Sequence, residues 1–204
     1  MATRTRRPGI ERRSEIAAAA LRLLGRGGLT AVTSAALAAE VGVSPAALSR
    51  HFDTLGAIIA AAVDLAVARL DGSLPGVDAS PLARLRALAE ARVRLLEEEP
   101  GIAWLLRSEQ ALATLPASAV EALRGATGRS RAFIHAAIRE GVECGALRSD
   151  VGPRVLLTVF TATIHTLVTR AGIAQQAVAR PDPDDVLPGL FTLLGVPAPL
   201  ESPR

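Results

Sequence analysis

The chain has no tyrosine and no lysine, and it holds one cysteine, one tryptophan and four phenylalanines. Each scarcity excludes something. Cys144 alone cannot form an internal disulfide, and a lone thiol fits a reducing compartment. Its simplest role is that of a small buried hydrophobe. No apolar run reaches the roughly 18 uncharged residues of a membrane span, and the start MATRTRRPGIERR lacks the apolar stretch of a secretory signal. A cytoplasmic protein with no membrane partner is expected. Catalytic signatures are also missing: there is no HExxH, no CxxC and no GxxxxGK ahead of Ser or Thr. His51, His135 and His165 lie far apart in sequence. No enzymatic activity, metal or cofactor is expected.

What is present is helix-forming. Half of the 204 residues are hydrophobic, mostly Ala, Leu, Val and Ile, a set that favours helices over strands. The expectation is an all-α protein, with a small module joined to a larger one. Net charge is only +3, but residues 1–54 carry Arg4, Arg6, Arg7, Arg12, Arg13, Arg22, Arg26 and Arg50 against four acids, while the remainder is near neutral. A basic first quarter points to a polyanionic partner at one end. That every basic residue is Arg also fits a bias of genome composition.

Punctuation divides the chain. Ile16, Ala20, Leu23 and Leu24 fall at helical spacing from Glu11 to Leu24, and GRGG ends the segment. Thr33 or Ser34 starts a short helix whose inward side is Ala35, Leu37, Ala38 and Val41, stopped by Gly42. Ser44 caps the next, with Pro45 at its first position, Ala47, Leu48 and Phe52 inward, and Ser44, Ala46, Ser49 and Arg50 outward. Two short helices joined through a Gly-containing turn, the second polar outside, form a helix-turn-helix suited to a major groove. Asp53 and Thr54 cap a longer helix that stops at Gly72, and the Gly- and Pro-rich GSLPGVDASP marks a boundary. Helical patterns follow over Pro81 to Glu98, Ile102 to Leu112, Pro116 to Cys144, Pro153 to Ala174 and Asp184 to Leu194.

The text IAAAALRLLGRGGLTAVTSAALAAEVGVSPAALSRHFDTLGAII, within residues 11–60, resembles the N-terminal domain of TetR-family transcriptional regulators. The segment IREGVECGALRSDVGPRVLLTVFTATIHTLV is similar to the seventh and eighth helices of many members. The resemblance implies an N-terminal arm and helix-turn-helix domain (1–54), a connecting helix (55–72) and a ligand-binding and dimerisation domain (73–204). Thr33 and Ser34 match the start of the helix that contacts the DNA backbone. Ser44, Pro45, Ala46, Ser49, Arg50 and His51 match the recognition helix, and Thr54 matches the start of helix four. Arg50 can pair with O6 and N7 of guanine, or pair with a phosphate instead. His51 packs or touches a phosphate, and Arg4, Arg6 and Arg7 form either a groove-following arm or a solvated tail. The chain departs from the family at Ala47 and Ser49, where Thr and Tyr are usual, and at Leu55, where Lys is usual.

The function so implied is a homodimeric repressor on double-stranded operator DNA, released when a small hydrophobic or aromatic inducer shifts helix four. The departures keep open an alternative, a small-molecule-binding or interaction protein of the same fold with weakened DNA binding. Trp104, Phe133, His135, Phe160, Thr163 and His165 are candidates for a ligand wall, since a pocket wants apolar surface with a few polar handles; each also has a reading as ordinary core. RVLLTVFTATIHTLVTR is apolar nearly all round. With the stripe Val186, Leu187, Leu190, Phe191 and Leu194 it forms either a two-fold interface or intrachain core.

Overall fold

A computed structural model of the chain describes residues 9–168 and 181–196. Among these residues all regular structure is helical: α1 (Gly9–Gly27), a 3₁₀ turn (Gly28–Ala31), α2 (Ser34–Val41), α3 (Pro45–Leu48), α4 (Leu55–Gly72), α5 (Pro81–Glu98), α6 (Pro100–Arg107), α7 (Glu109–Thr114), α8 (Ala117–Glu143), α9 (Pro153–Leu167) and α10 (Pro183–Leu194). The fold class is all-α. Residues 9–71 and Leu96–Thr127 form one compact unit, and Gly72–Leu95 with 128–168 and 181–196 form a second.

The first unit is organised by α1. Ile16, Ala19, Ala20, Leu21 and Leu24 are fully buried along it, each large aliphatic contributing about 1.5–3 kcal/mol by leaving water. Small residues then permit a close helix crossing. A Cβ built on Gly101 of α6 would collide with the Leu21 carbonyl oxygen of α1, and one on Gly25 would lie 2.7 Å from the Gly101 nitrogen. The Trp104 indole covers Gly28, at 3.1 Å from the place a Cβ would take. An ion pair between Arg69 of α4 and Glu99 ties a further helix to the start of α6.

The sequence predicts one helix over 102–112, but the structure breaks it at Ser108. Its N–H closes α6 on the Trp104 carbonyl at 2.9 Å, and its Oγ accepts the Ala111 N–H at 3.2 Å to open α7. A serine that satisfies backbone groups in this way favours a cap over a helix interior.

Larger side chains hold the second unit. Phe160 of α9 meets Phe191 of α10 edge to face at 6.4 Å, and the Arg86 guanidinium lies 4.5 Å from the centre of the Phe191 ring. Leu85, Ile138, Leu147, Leu167 and Leu194 are almost fully buried around them. Arg148 closes the C-terminus of α10: its N–H donates to Leu194 O at 3.0 Å and its side chain to Leu193 O at 3.1 Å, while Asp150 holds the guanidinium at 2.7 and 2.8 Å. Arg84 is buried and paired with half-exposed Glu140; its Nε is buried without a hydrogen-bond partner.

The stripe Leu187, Leu190, Phe191 and Leu194 is thus core of its own unit, with Val186 half-buried. The apolar groups left exposed on α9 and α10 are Val155, Val159 and Leu193. Cys144 is exposed rather than buried: it follows the last turn of α8, where the chain turns back so that the Leu147 N–H reaches Gly141 O at 2.9 Å. The helix expected over Pro153 to Ala174 is described to Leu167, and its end lies outside the described residues.

Candidate nucleic-acid interface

The helix-turn-helix forms from local chemistry. Thr33 Oγ1 accepts the Ala36 N–H at 3.1 Å and so caps α2. Leu37 and Ala38 are buried; Val41 is half-buried and Ala35, read as inward from its spacing, is exposed. Eight residues make only two turns, too few to fix a face by periodicity. Gly42 ends the helix at φ +71°, where other residues are strained, and its N–H returns to Ala39 O at 3.2 Å.

α3 is a single turn. Pro45 fills its first position and Ser44 stands at its N-cap without a side-chain capping bond; the turn closes through backbone, Ala47 N–H to Ser44 O at 2.9 Å. The Ser44 hydroxyl therefore does not do the capping expected of it. Leu48 and Phe52 anchor this turn in the core, 4 % and 5 % exposed. Ser44, Pro45, Ala46, Ser49 and Arg50 are exposed and His51 is half-buried. Exposed Ser34 and Thr33 open α2, and exposed Thr54 caps α4 by accepting the Ala57 N–H at 3.0 Å. All nine expected DNA-contacting residues thus belong to one unit, at three helix starts and the turn after α3. Arg4, Arg6 and Arg7 lie outside the described residues.

Two sets of contacts that hold this surface were not legible in the sequence. The Arg13 guanidinium of α1 lies over the Phe52 ring, 4.1 Å from its centre, and donates to the His51 carbonyl. One residue of α1 thus fixes the end of the α3 turn by a cation–π contact and a charge-assisted hydrogen bond. Glu40 of α2 accepts Arg22 Nε at 2.7 Å and also pairs with Arg26. Those two hydrogen bonds, Arg22 first, hold its carboxyl below the ordinary value of 4.5. Both sets join residues 14 to 39 positions apart, beyond the reach of spacing rules.

The residues read as a ligand wall are divided. Trp104 is half-buried in the first unit. In the second, Phe160 is 1 % exposed against Phe191, Phe133 and Thr163 are half-buried, and His165 is exposed. Thr163 Oγ1 donates to Val159 O at 2.8 Å. His135 lines a shallow depression with Arg139, Glu143 and Arg154.

A groove that none of the six lines lies within the first unit, between α6, α7 and the start of α8. It has a volume of about 240 Å³, walls that include Leu105, Leu112, Leu115 and Leu123, and Arg107 and Arg124 among its polar groups. Only the spatial proximity of two short helices and the start of a long one reveals it. Among the described residues, no group of three or more His, Cys, Asp or Glu is placed to hold a metal ion. No helix among them is long and apolar enough to cross a membrane.

Comparison with known proteins agrees with this architecture. The chain is similar over 90 % of its length to AibR in complex with isovaleryl coenzyme A and operator DNA, at 18 % identity and a TM-score of 0.72, covering 98 % of that chain. The ketosteroid transcriptional regulator KstR2 of Mycobacterium tuberculosis is 22 % identical with a TM-score of 0.68, over 90 % of this chain and 95 % of its own. The transcriptional regulator FadR from Bacillus subtilis, in complex with stearoyl-CoA, is 15 % identical with a TM-score of 0.61, over 89 % and 96 %. At these identities the likeness is one of fold. No curated protein matches the chain in sequence. Family descriptions do match: bacterial regulatory proteins of the tetR family over residues 16–62, and the tetracyclin repressor-like C-terminal domain over residues 81–180. With both halves of the family pattern matched in order around a helix-turn-helix, the chain belongs to the TetR family of bacterial regulators.

Proposed function

We propose that the protein is a homodimeric repressor that binds a pseudo-palindromic operator through Thr33, Ser34, Ser44, Pro45, Ala46, Ser49, Arg50, His51 and Thr54, and that a small hydrophobic effector releases it. The observation that carries the reading is the α3 turn: it is anchored by Leu48, Phe52 and Arg13 and leaves small polar groups and Arg50 outward. Short side chains let the backbone approach a groove closely, and a guanidinium among them suits guanine. Two such turns related by two-fold symmetry would meet half-sites about 34–36 Å apart. Exposed Val155, Val159 and Leu193 favour a second copy as their cover. The acyl-CoA complexes of AibR and FadR support an effector with an apolar part. The division into 1–54, 55–72 and 73–204 belongs to the same proposal, as does the absence of catalysis.

The test is affinity for the DNA flanking the protein's own gene, measured against random DNA across a salt series. Specific binding at least about 10³-fold tighter than random is expected; equal affinity at every salt concentration sinks the repressor reading. Leu55 favours the second reading, of the same fold with weakened DNA contact: it stands 36 % exposed at the position where the family resemblance implies a Lys. That reading predicts a shallow salt dependence, since fewer phosphates are neutralised.

A further inference from the structure

We propose that Arg13 is a positioning residue for sequence reading: without contacting DNA, it clamps the end of the α3 turn so that Arg50 meets its base in one orientation. The inference deepens the DNA-binding reading above and rests on it, and it adds a residue from outside the nine expected contacts.

The turn needs such a clamp. α3 is four residues long, and Ser49, Arg50 and His51 follow it outside regular helix. One turn is far short of the length at which a helix holds itself in water. The backbone bonds that close the segment, from the His51 N–H at 2.9 Å and the Phe52 N–H at 3.0 Å, both end on a single acceptor, Leu48 O. Leu48 and Phe52 bury the two flanks, but apolar burial is non-directional. It holds the segment down without fixing how the exposed residues between them are turned.

Arg13 supplies the direction. Its guanidinium lies 4.1 Å from the centre of the Phe52 ring and donates to the His51 carbonyl, so it grips the two residues that directly follow Arg50. A planar group with a fixed fork of N–H donors can stack and donate together, which a lysine ammonium does not do. The lever is itself fixed, because Ile16, one turn along α1, is fully buried. Neighbouring arginines have other duties: Arg12 pairs with Glu15 at 2.7 Å, and Arg22 and Arg26 both pair with Glu40. The basic first quarter is therefore not all directed at a polyanion. Arg13 is turned to the protein, and Arg50 is the exposed guanidinium of the turn it holds.

Arg13→Lys and Arg13→Met are compared with the native chain for affinity to flanking DNA and to random DNA across a salt series. Arg13→Lys keeps the charge and loses the clamp; affinity for flanking DNA should fall by at least about fivefold, the low end of what one well-made guanine contact is worth, while random DNA binds as before. Arg13→Met should lose the same preference without flattening the salt dependence, since no phosphate contact is removed. In the free chain, amide exchange at His51 and Phe52 should quicken by at least about fivefold in Arg13→Lys, with Leu21 and Leu24 of α1 unchanged.

Full retention of specific affinity by Arg13→Lys overturns the proposal. So does equal weakening of flanking and random DNA by Arg13→Met with a flatter salt slope, which makes Arg13 a phosphate contact. Exchange that quickens uniformly through the first unit, with the preference for flanking DNA intact, shows a general stabilising contact and also overturns it. A native chain with no preference for flanking DNA overturns the repressor reading instead, while the exchange measurement still decides whether Arg13 holds the turn.

Discussion

The two units bury their helices by opposite means. In the first, α1 and α6 touch backbone to backbone at Gly25 and Gly101, and charged groups on the surface hold the α2 and α3 turns against α1. In the second, α9 and α10 meet through Phe160 and Phe191, with guanidinia over a ring and on a helix end. Aromatic and leucine packing tolerates adjustment by side-chain movement. A glycine crossing does not, because no rotamer exists to absorb an added atom. The difference teaches that the unit bearing the DNA-contacting residues is the more sensitive to small insertions, and the other to truncation.

The largest effect should follow truncation in the second unit. Phe160→Ala is expected to cost about 3–5 kcal/mol, the range for aromatic deletion in a core, as read from denaturant unfolding followed by circular dichroism. Trp104 emission belongs to the first unit, so its transition should move less than the circular-dichroism one. Identical shifts in both signals would show that the units unfold together and would break the contrast. Next comes the smallest possible insertion in the first unit: Gly101→Ala should destabilise by at least about 1–3 kcal/mol through overpacking and should move the Trp104 transition most. A neutral Gly101→Ala would mean that the crossing is looser than its geometry.

Gly42→Ala tests backbone conformation without packing, since nothing lies within 4 Å of an added Cβ but φ is +71°. A cost of about 1 kcal/mol is expected from the left-handed conformation, and a gain in stability would contradict it. The smallest effect should be electrostatic. Glu40 has its carboxyl held below 4.5 by Arg22 and Arg26, so its pairing stabilises the fold fully above the unfolded value and is lost as pH falls through the lower folded one. Arg22 and Arg26 are 48 % and 59 % exposed, which limits the contribution to about 0.5 kcal/mol. Glu40→Gln should therefore lower stability at neutral pH by about 0.5 kcal/mol, flatten the acid limb of the stability curve below pH 4.5 and leave the most acid end nearly unchanged; an unaltered acid limb counts against the pairing.

Legibility in the sequence followed the range of the cause. Thr33, Gly42, Pro45 and Thr54 act on neighbours within three or four residues, and the sequence placed each of them at the correct helix end. Ala35 and the run over 102–112 went wrong where two turns of helix gave too little periodicity and where Ser108 diverted the backbone to its own cap. Arg13 on Phe52, Gly101 on Leu21 and the groove beside Leu105 depend on residues tens of positions apart, and nothing local announces them. The same holds for α10, whose stripe is core while Leu193 is exposed: spacing identifies an apolar face but not what covers it.

Scarcity also equips the molecule for measurement. The chain's single tryptophan, Trp104, belongs to one compact unit, and its single thiol, Cys144, is exposed on the other. One acceptor dye on Cys144 therefore makes a donor–acceptor pair without any substitution. Energy transfer between them is a ruler across the two units of the chain, and its change on adding DNA or a candidate effector reads the relative displacement of those units directly in the native sequence.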